Sequence, residues 1–212
     1  APDPTAEPSI TPETPTPSPD GGLLAVRTHS NGTSFPVWGA GIGFDLDNPG
    51  PTKQDKVPYD TTPFTAVSFW IRGDNTAGVG SADEVWFHFP IPETLDPGDG
   101  GECNGDGSTT YCNDHYGTYV PLTNSWVRHT VPIDAASLTR QGWGNMPGVA
   151  FDPTQVYSLQ WQFKQDQAFN LWIDGITFEA PIDDLDDGDT AILDVSGRQG
   201  GWFGHDGSIS VV

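Results

Sequence analysis

Positive charge is scarce in this chain. Only 8 lysines and arginines stand against 29 aspartates and glutamates, for a formal charge of −21. Phosphate binding needs a basic footprint, so this balance argues against nucleic acid as a partner. No apolar run approaches the roughly 18 residues of a membrane span, so no membrane insertion is expected. Sulfur is sparse too, with 2 cysteines and 1 methionine. Helical periodicity is hard to find. The acidity fits a secreted or cell-surface protein kept in solution by self-repulsion, or one that binds cations. The chain opens on a proline-rich tract and not on an apolar leader, and it reads as a mature form or a fragment.

Glycine and proline, by contrast, are abundant at 26 and 20 residues. Strand-like runs at short spacing with turn signals between them argue for an all-β sandwich. Four runs carry the pattern most clearly: residues 65–72, 84–89, 156–163 and 169–174. Side chains alternate across a strand with period two. One face therefore collects Val67, Phe69, Ile71, Val85, Phe87, Phe89, Tyr157, Leu159, Trp161, Phe163, Phe169, Leu171 and Ile173, an expected sandwich core. The opposite face collects Ser68, Trp70, Arg72, Glu84, Trp86, His88, Gln160, Gln162, Trp172 and Asp174. Flat aromatics among hydrogen-bonding groups suit a sugar, whose C–H bonds rest on the ring while its hydroxyls bond to the polar rim.

Residues 1–22 are rich in Pro, Thr, Ser and Glu and read as an extended linker or arm. The sandwich is expected over 23–212. Further strand-like pieces are 23–28, 35–44, 119–122, 126–133, 191–195 and 207–212, with a short helical turn over 134–140. Cys103 and Cys112 bracket a loop rich in Gly, Asn and Asp. A disulfide there would contribute about 2–3 kcal/mol by restricting the unfolded chain, and it suits an oxidising compartment. The other reading is two free thiols in a reducing one. Zinc falls short of ligands, with only His115 nearby.

A family resemblance rests on several pieces: Trp38-Gly-Ala-Gly-Ile-Gly, residues 67–70, Cys112-Asn-Asp-His-Tyr-Gly, Gln141-Gly-Trp-Gly, Phe151-Asp-Pro, residues 157–163 and Leu171-Trp-Ile-Asp-Gly-Ile. Together they resemble the galactose-binding-like jelly-roll domains of secreted bacterial proteins, which are similar to carbohydrate-binding modules of glycoside hydrolases. The resemblance covers roughly residues 23–212 and implies a jelly-roll β-sandwich. Residues 182–189 and 197–203 resemble the opening of such a domain, yet stand at the end of this chain. A permuted, a tandem or a strand-swapped arrangement would each account for that order. Such domains often hold a structural calcium. The resemblance implies that Asp184, Asp187 or Asp189 would share it with Asp174 or Glu179, since hard cations take several oxygen ligands. A solvated acidic turn is the competing reading. The acidic stretch 96–107 reads as a disulfide-clipped loop rather than a second calcium site.

Two functional readings follow. The first is a non-catalytic module that binds polysaccharide through Trp70, Trp86 and Trp172, with Arg72, Glu84, His88, Gln160 and Gln162 as hydrogen-bonding partners. A covering loop or the proline-rich segment could instead occupy that face. The second is a structural subunit that polymerises with copies of itself through an exchanged strand or the proline-rich arm. Trp143 and Trp202, each close to glycines, are either exposed ligand contacts or plugs at the end of the core. Catalysis fits poorly. No carboxylate pair is marked by its context, no serine sits in a nucleophile elbow, and no histidine zinc motif occurs.

Overall fold

The computed structural model describes residues 11–13, 25–31, 39–73, 82–103, 111–144, 146 and 148–180. The expected strand pieces at 191–195 and 207–212, the acidic run 183–189 and Trp202 lie outside the described residues.

Among the described residues, nine strands follow in order: β1 (Thr11–Glu13), β2 (Ala25–Asn31), β3 (Ala40–Asp45), β4 (Ala66–Gly73), β5 (Glu84–Phe89), β6 (Tyr116–Pro121), β7 (Val127–Pro132), β8 (Ser158–Phe163) and β9 (Ala168–Glu179). They form two antiparallel sheets. One has the order β1-β2-β9-β4-β7, the other β3-β8-β5-β6. Except for β5 and β6, every consecutive pair from β2 to β9 crosses between the sheets. With β2-β9-β4-β7 facing β3-β8-β5-β6, these strands make a jelly-roll β-sandwich. β1 adds to its edge, pairing Thr11 with Arg27. Part of the tract read as a linker thus lies on a sheet edge of its own chain.

Period-two alternation decides the interior. Every residue assigned to the core face is buried, from Val67, Phe69, Phe87 and Phe89 at 0% exposure to Tyr157 at 6%. Phe69 and Phe87 pack at 4.7 Å, and Trp161 meets Phe69 edge-on at 5.2 Å. Trp161 therefore packs in the core, 1% exposed. Strand β9 runs five residues past its expected end. It does so through a bulge opposite Ser68 and Trp70, where Gly175 takes φ +55°, a backbone region that favours glycine. The short turn expected within 134–140 is a single one: the Asp134 carbonyl accepts the N–H groups of Ser137 and Leu138 at 3.3 and 3.1 Å. Its carboxylate accepts from the backbone N–H groups of Ala136 and Ser137 and caps that turn.

Candidate functional site

The expected aromatic platform is divided by the topology. Ser68, Trp70, Arg72, Trp172 and Asp174 belong to β4 and β9, whereas Glu84, Trp86, His88, Gln160 and Gln162 belong to β5 and β8. These strand pairs lie in different sheets, so the two sets face outward on opposite sides of the sandwich. A single surface using Trp70, Trp86 and Trp172 together is therefore corrected. Alternation assigns a side chain to one side of its strand, but only pairing assigns the strand to a sheet.

On the five-stranded sheet, Trp172 stands beneath two arginines. The guanidinium carbons of Arg72 and Arg27 lie 4.6 and 5.1 Å from its ring centroid. Trp70 is half-buried between Arg128 and Asp174 on the neighbouring strands. Arg128 reaches past it to bond Ser68 Oγ at 2.7 Å and Glu179 at 2.5 Å. Cation–π and ionic contacts within the protein thus engage much of this face.

The four-stranded sheet is built differently. Its register places Gly41, Gln162, Trp86 and Tyr119 in one row across β3, β8, β5 and β6. Gly43, Gln160, His88 and Gly117 form the next row. The glycines at both ends of that row make room for the long side chains between them. A Cβ on Gly43 would come within 2.6 Å of Gln160 Cγ, and one on Gly117 within 2.7 Å of His88 Cβ. The result is a trough. Its larger part is a cleft of about 570 Å³ over β3, lined by Gly41, Gly43, Gln160, Gln162, His88 and His115. Two smaller depressions of about 270 and 390 Å³ continue it across Trp86 towards β6.

One wall of the cleft comes from residues 45–56 and 96–99. Lys56 pairs with Asp45 at 3.3 Å, Lys53 pairs with Asp99, and Gln54 donates to the Gly98 carbonyl. The opposite lip is Trp143, 40% exposed. Its loop is held by Asp114, whose buried carboxylate accepts the N–H groups of Gln141, Gly142 and Gly144 at 2.9, 3.0 and 3.0 Å. Gly142 at φ +89° permits the chain to wrap around one carboxylate. A relay then ties the lip to the sheet. Trp143 Nε1 donates to Gln141 Oε1 at 3.1 Å, and Gln141 Nε2 donates to the Tyr119 hydroxyl at 3.1 Å.

Trp86 lines the groove, but its ring is no open platform. It is 5% exposed because Tyr119, directly opposite on β6, packs on it at 4.7 Å. Glu84 is engaged by Lys164 at 2.8 Å, and that bond pushes the lysine's pKa up. His88 is 3% exposed, and its Nε2 lies 3.2 Å from Gln160 Oε1. That oxygen only accepts, so Nε2 carries the proton. Nδ1 is buried with no hydrogen-bond partner among the described residues. Burial pushes the His88 pKa down to about 3, with the Gln160 bond opposing. His115, packed on it at 5.1 Å, is held well below the ordinary histidine value by burial, His88 and Lys56. Both imidazoles are neutral at physiological pH.

Cys103 and Cys112 form a disulfide. Of the expected calcium ligands, Asp184, Asp187 and Asp189 lie outside the described residues. Asp174 accepts a hydrogen bond from the Gly175 N–H. Among the described residues, no three His, Cys, Asp or Glu side chains converge to hold a metal ion. Alternation in strands could not reveal Trp143, Gln141, Asn113, Lys53 or Lys56, which reach the groove from loops. Only the Gln141-Gly-Trp-Gly spacing hinted at one of them.

No family model matches the chain, and no curated protein does. Among solved structures, the chain is similar to a family 11 carbohydrate-binding module from Clostridium thermocellum in complex with a β-1,3-1,4-mixed-linked tetrasaccharide. That match has 15% identity and a TM-score of 0.49, covering 82% of this chain and 83% of that one. A family 30 module of a cellulosomal cellulase from the same organism matches with 16% identity and a TM-score of 0.47, covering 82% and 84%. An exo-β-agarase matches with 11% identity and a TM-score of 0.47, covering 82% of this chain and 22% of the agarase chain. At such identities and TM-scores, the function of this chain has to be argued from its own residues.

Proposed function

We propose that the outer face of the four-stranded sheet is the polysaccharide-binding groove of a non-catalytic, secreted or cell-surface module. The observation that carries this reading is the floor and lip of the trough: Gln160 and Gln162 beneath, Trp143 at the edge. Carboxamides both donate and accept, as sugar hydroxyls do. An indole at the lip offers a flat apolar face to a sugar ring. The groove is elongated and crosses several strands, which suits a run of rings better than a single one. Its two lysines are each paired with a carboxylate, Lys53 with Asp99 and Lys56 with Asp45, so an uncharged ligand suits it better than an anionic one. The same pairing leaves the two carboxylates lining the cleft poorly placed as proton donors. The disulfide suits an oxidising compartment.

The test is calorimetric titration with a panel of soluble neutral polysaccharides. Trp143→Ala should lose at least about tenfold in affinity, as a central aromatic anchor does, and Gln162→Ala should weaken binding as well. Trp172→Ala, on the opposite sheet, should bind as wild type. Silence across the panel, or binding lost only in Trp172→Ala, would sink the assignment. Calcium remains a separate proposal for Asp174 with Asp184, Asp187 and Asp189. It expects a melting temperature that rises with added Ca²⁺ and falls with chelator.

A further inference from the structure

The groove's aromatic lip is built against a small sulfur core. Cys103 and Cys112 are joined, and Met146 packs on them with its Sδ 3.6 Å from Cys103 Sγ. All three are buried, in a cluster distinct from the main sandwich core. Asp114 follows Cys112 by two residues and Met146 follows Gly144 by two. Trp143 is therefore attached to the sulfur core on both sides, through the Asp114 carboxylate and through Met146. The fit is close. A Cβ on Gly144 would lie 2.5 Å from Asp114 Cβ and 2.9 Å from Met146 Cε. Between Cys112 and Asp114, Asn113 adopts φ +73°, a left-handed conformation that asparagine accepts more readily than most side-chain-bearing residues. Its N–H bonds the Thr94 carbonyl at 2.7 Å, and the Cys103 N–H bonds the Leu95 carbonyl at 3.0 Å. The disulfide closes this arrangement from the other end.

We propose that the Cys103–Cys112 disulfide is a positioning element of the groove: it holds Asp114 and Met146, which set Trp143 at the lip, so that ligand binding by this face depends on the oxidised pair. The proposal rests on the reading of this face as a glycan groove. Its structural half, the coupling of sulfur core to lip, can be measured without any ligand. The sulfur cluster meets the sandwich core through the partly buried Val149, and on this proposal breaking the bond loosens the lip while the sheets stay closed.

The experiment reduces the folded protein with dithiothreitol. The reagent passes two electrons and two protons to the S–S bond, which opens to two thiols while the reagent closes to its cyclic disulfide. Hydrogen exchange is followed by mass spectrometry. Amides over 141–149 should exchange at least about tenfold faster, which is within what closing a loop of this length is worth, while those over 158–163 keep their protection. Affinity for the best polysaccharide of the panel should fall at least about tenfold and return on reoxidation. In Trp143→Ala, reduction should cost nothing further. Asp114→Asn, with the disulfide intact, should reproduce the faster exchange, because a single amide oxygen replaces a carboxylate that accepts three N–H bonds. Unchanged exchange over 141–149 in the reduced protein overturns the proposal. So does equal acceleration over 158–163, which would make the bond a staple of the whole fold. If the oxidised wild type binds no polysaccharide, the glycan reading fails, and the exchange result alone decides the coupling.

Discussion

Acidification should destabilise this protein well before its carboxylates protonate, and His88 is the main reason. Its Nε2–H is committed to Gln160 Oε1, and its Nδ1 has no acceptor among the described residues. A second proton would place an N–H⁺ in a buried site without a partner, which is why burial pushes the pKa from 6.5 down to about 3. The sign follows directly. Between those two values the unfolded chain binds a proton that the folded one refuses, so stability falls as pH falls. At about 1.36 kcal/mol per pH unit, His88 alone should cost about 2 kcal/mol between pH 7 and pH 5. His115 is lowered in the same direction and adds to the loss. The exposed carboxylates Asp55, Asp60 and Asp134, whose pKa values are lowered by hydrogen bonds, contribute only at more acidic pH. Urea unfolding at pH 7, 6 and 5 would measure the effect. His88→Gln, whose amide can donate to Gln160 in place of the ring, should remove about half of the slope. A flat stability between pH 7 and pH 5, or an unchanged slope in His88→Gln, would refute the reasoning.

Other perturbations separate packing from site. Phe69→Ala empties the centre of the aromatic cluster and should cost about 3–5 kcal/mol in denaturant unfolding. Gly117→Ala should destabilise strongly, since its Cβ would lie 2.3 Å from the Phe87 carbonyl oxygen, which is backbone and has no rotamer to retreat to. Gly43→Ala should displace Gln160 from the groove floor, weakening polysaccharide affinity as well as stability in parallel titrations. Lys164→Ala removes an exposed ion pair and should change stability by less than about 1 kcal/mol.

Much of the interior was legible because it depends on a local rule. Val67, Phe69 and Ile71, or Leu159, Trp161 and Phe163, alternate with polar neighbours, and any strand made of them must turn that side inward. The cysteine pair was legible in part: a segment rich in Gly, Asn and Asp can fold back to join its ends, but two free thiols fit the same spacing. The groove was less legible. Trp86 looks like a platform in its strand, yet Tyr119, more than thirty residues away, lands on its ring. Trp143 gives no strand signal, because a carboxylate on a different segment holds its loop in place.

By itself, then, the sequence determined an acidic all-β sandwich and its buried face, because charge and period-two alternation act within a few residues; it offered the disulfide as one of two readings, and the structure joins the pair. The tertiary structure alone decided that β4 and β9 lie on one side and β5 and β8 on the other. It thereby parted Trp70 and Trp172 from Trp86 and assembled the groove around Gln160, Gln162 and Trp143. Sheet membership is set by hydrogen-bonded pairing between strands far apart in the chain, and no local pattern encodes it.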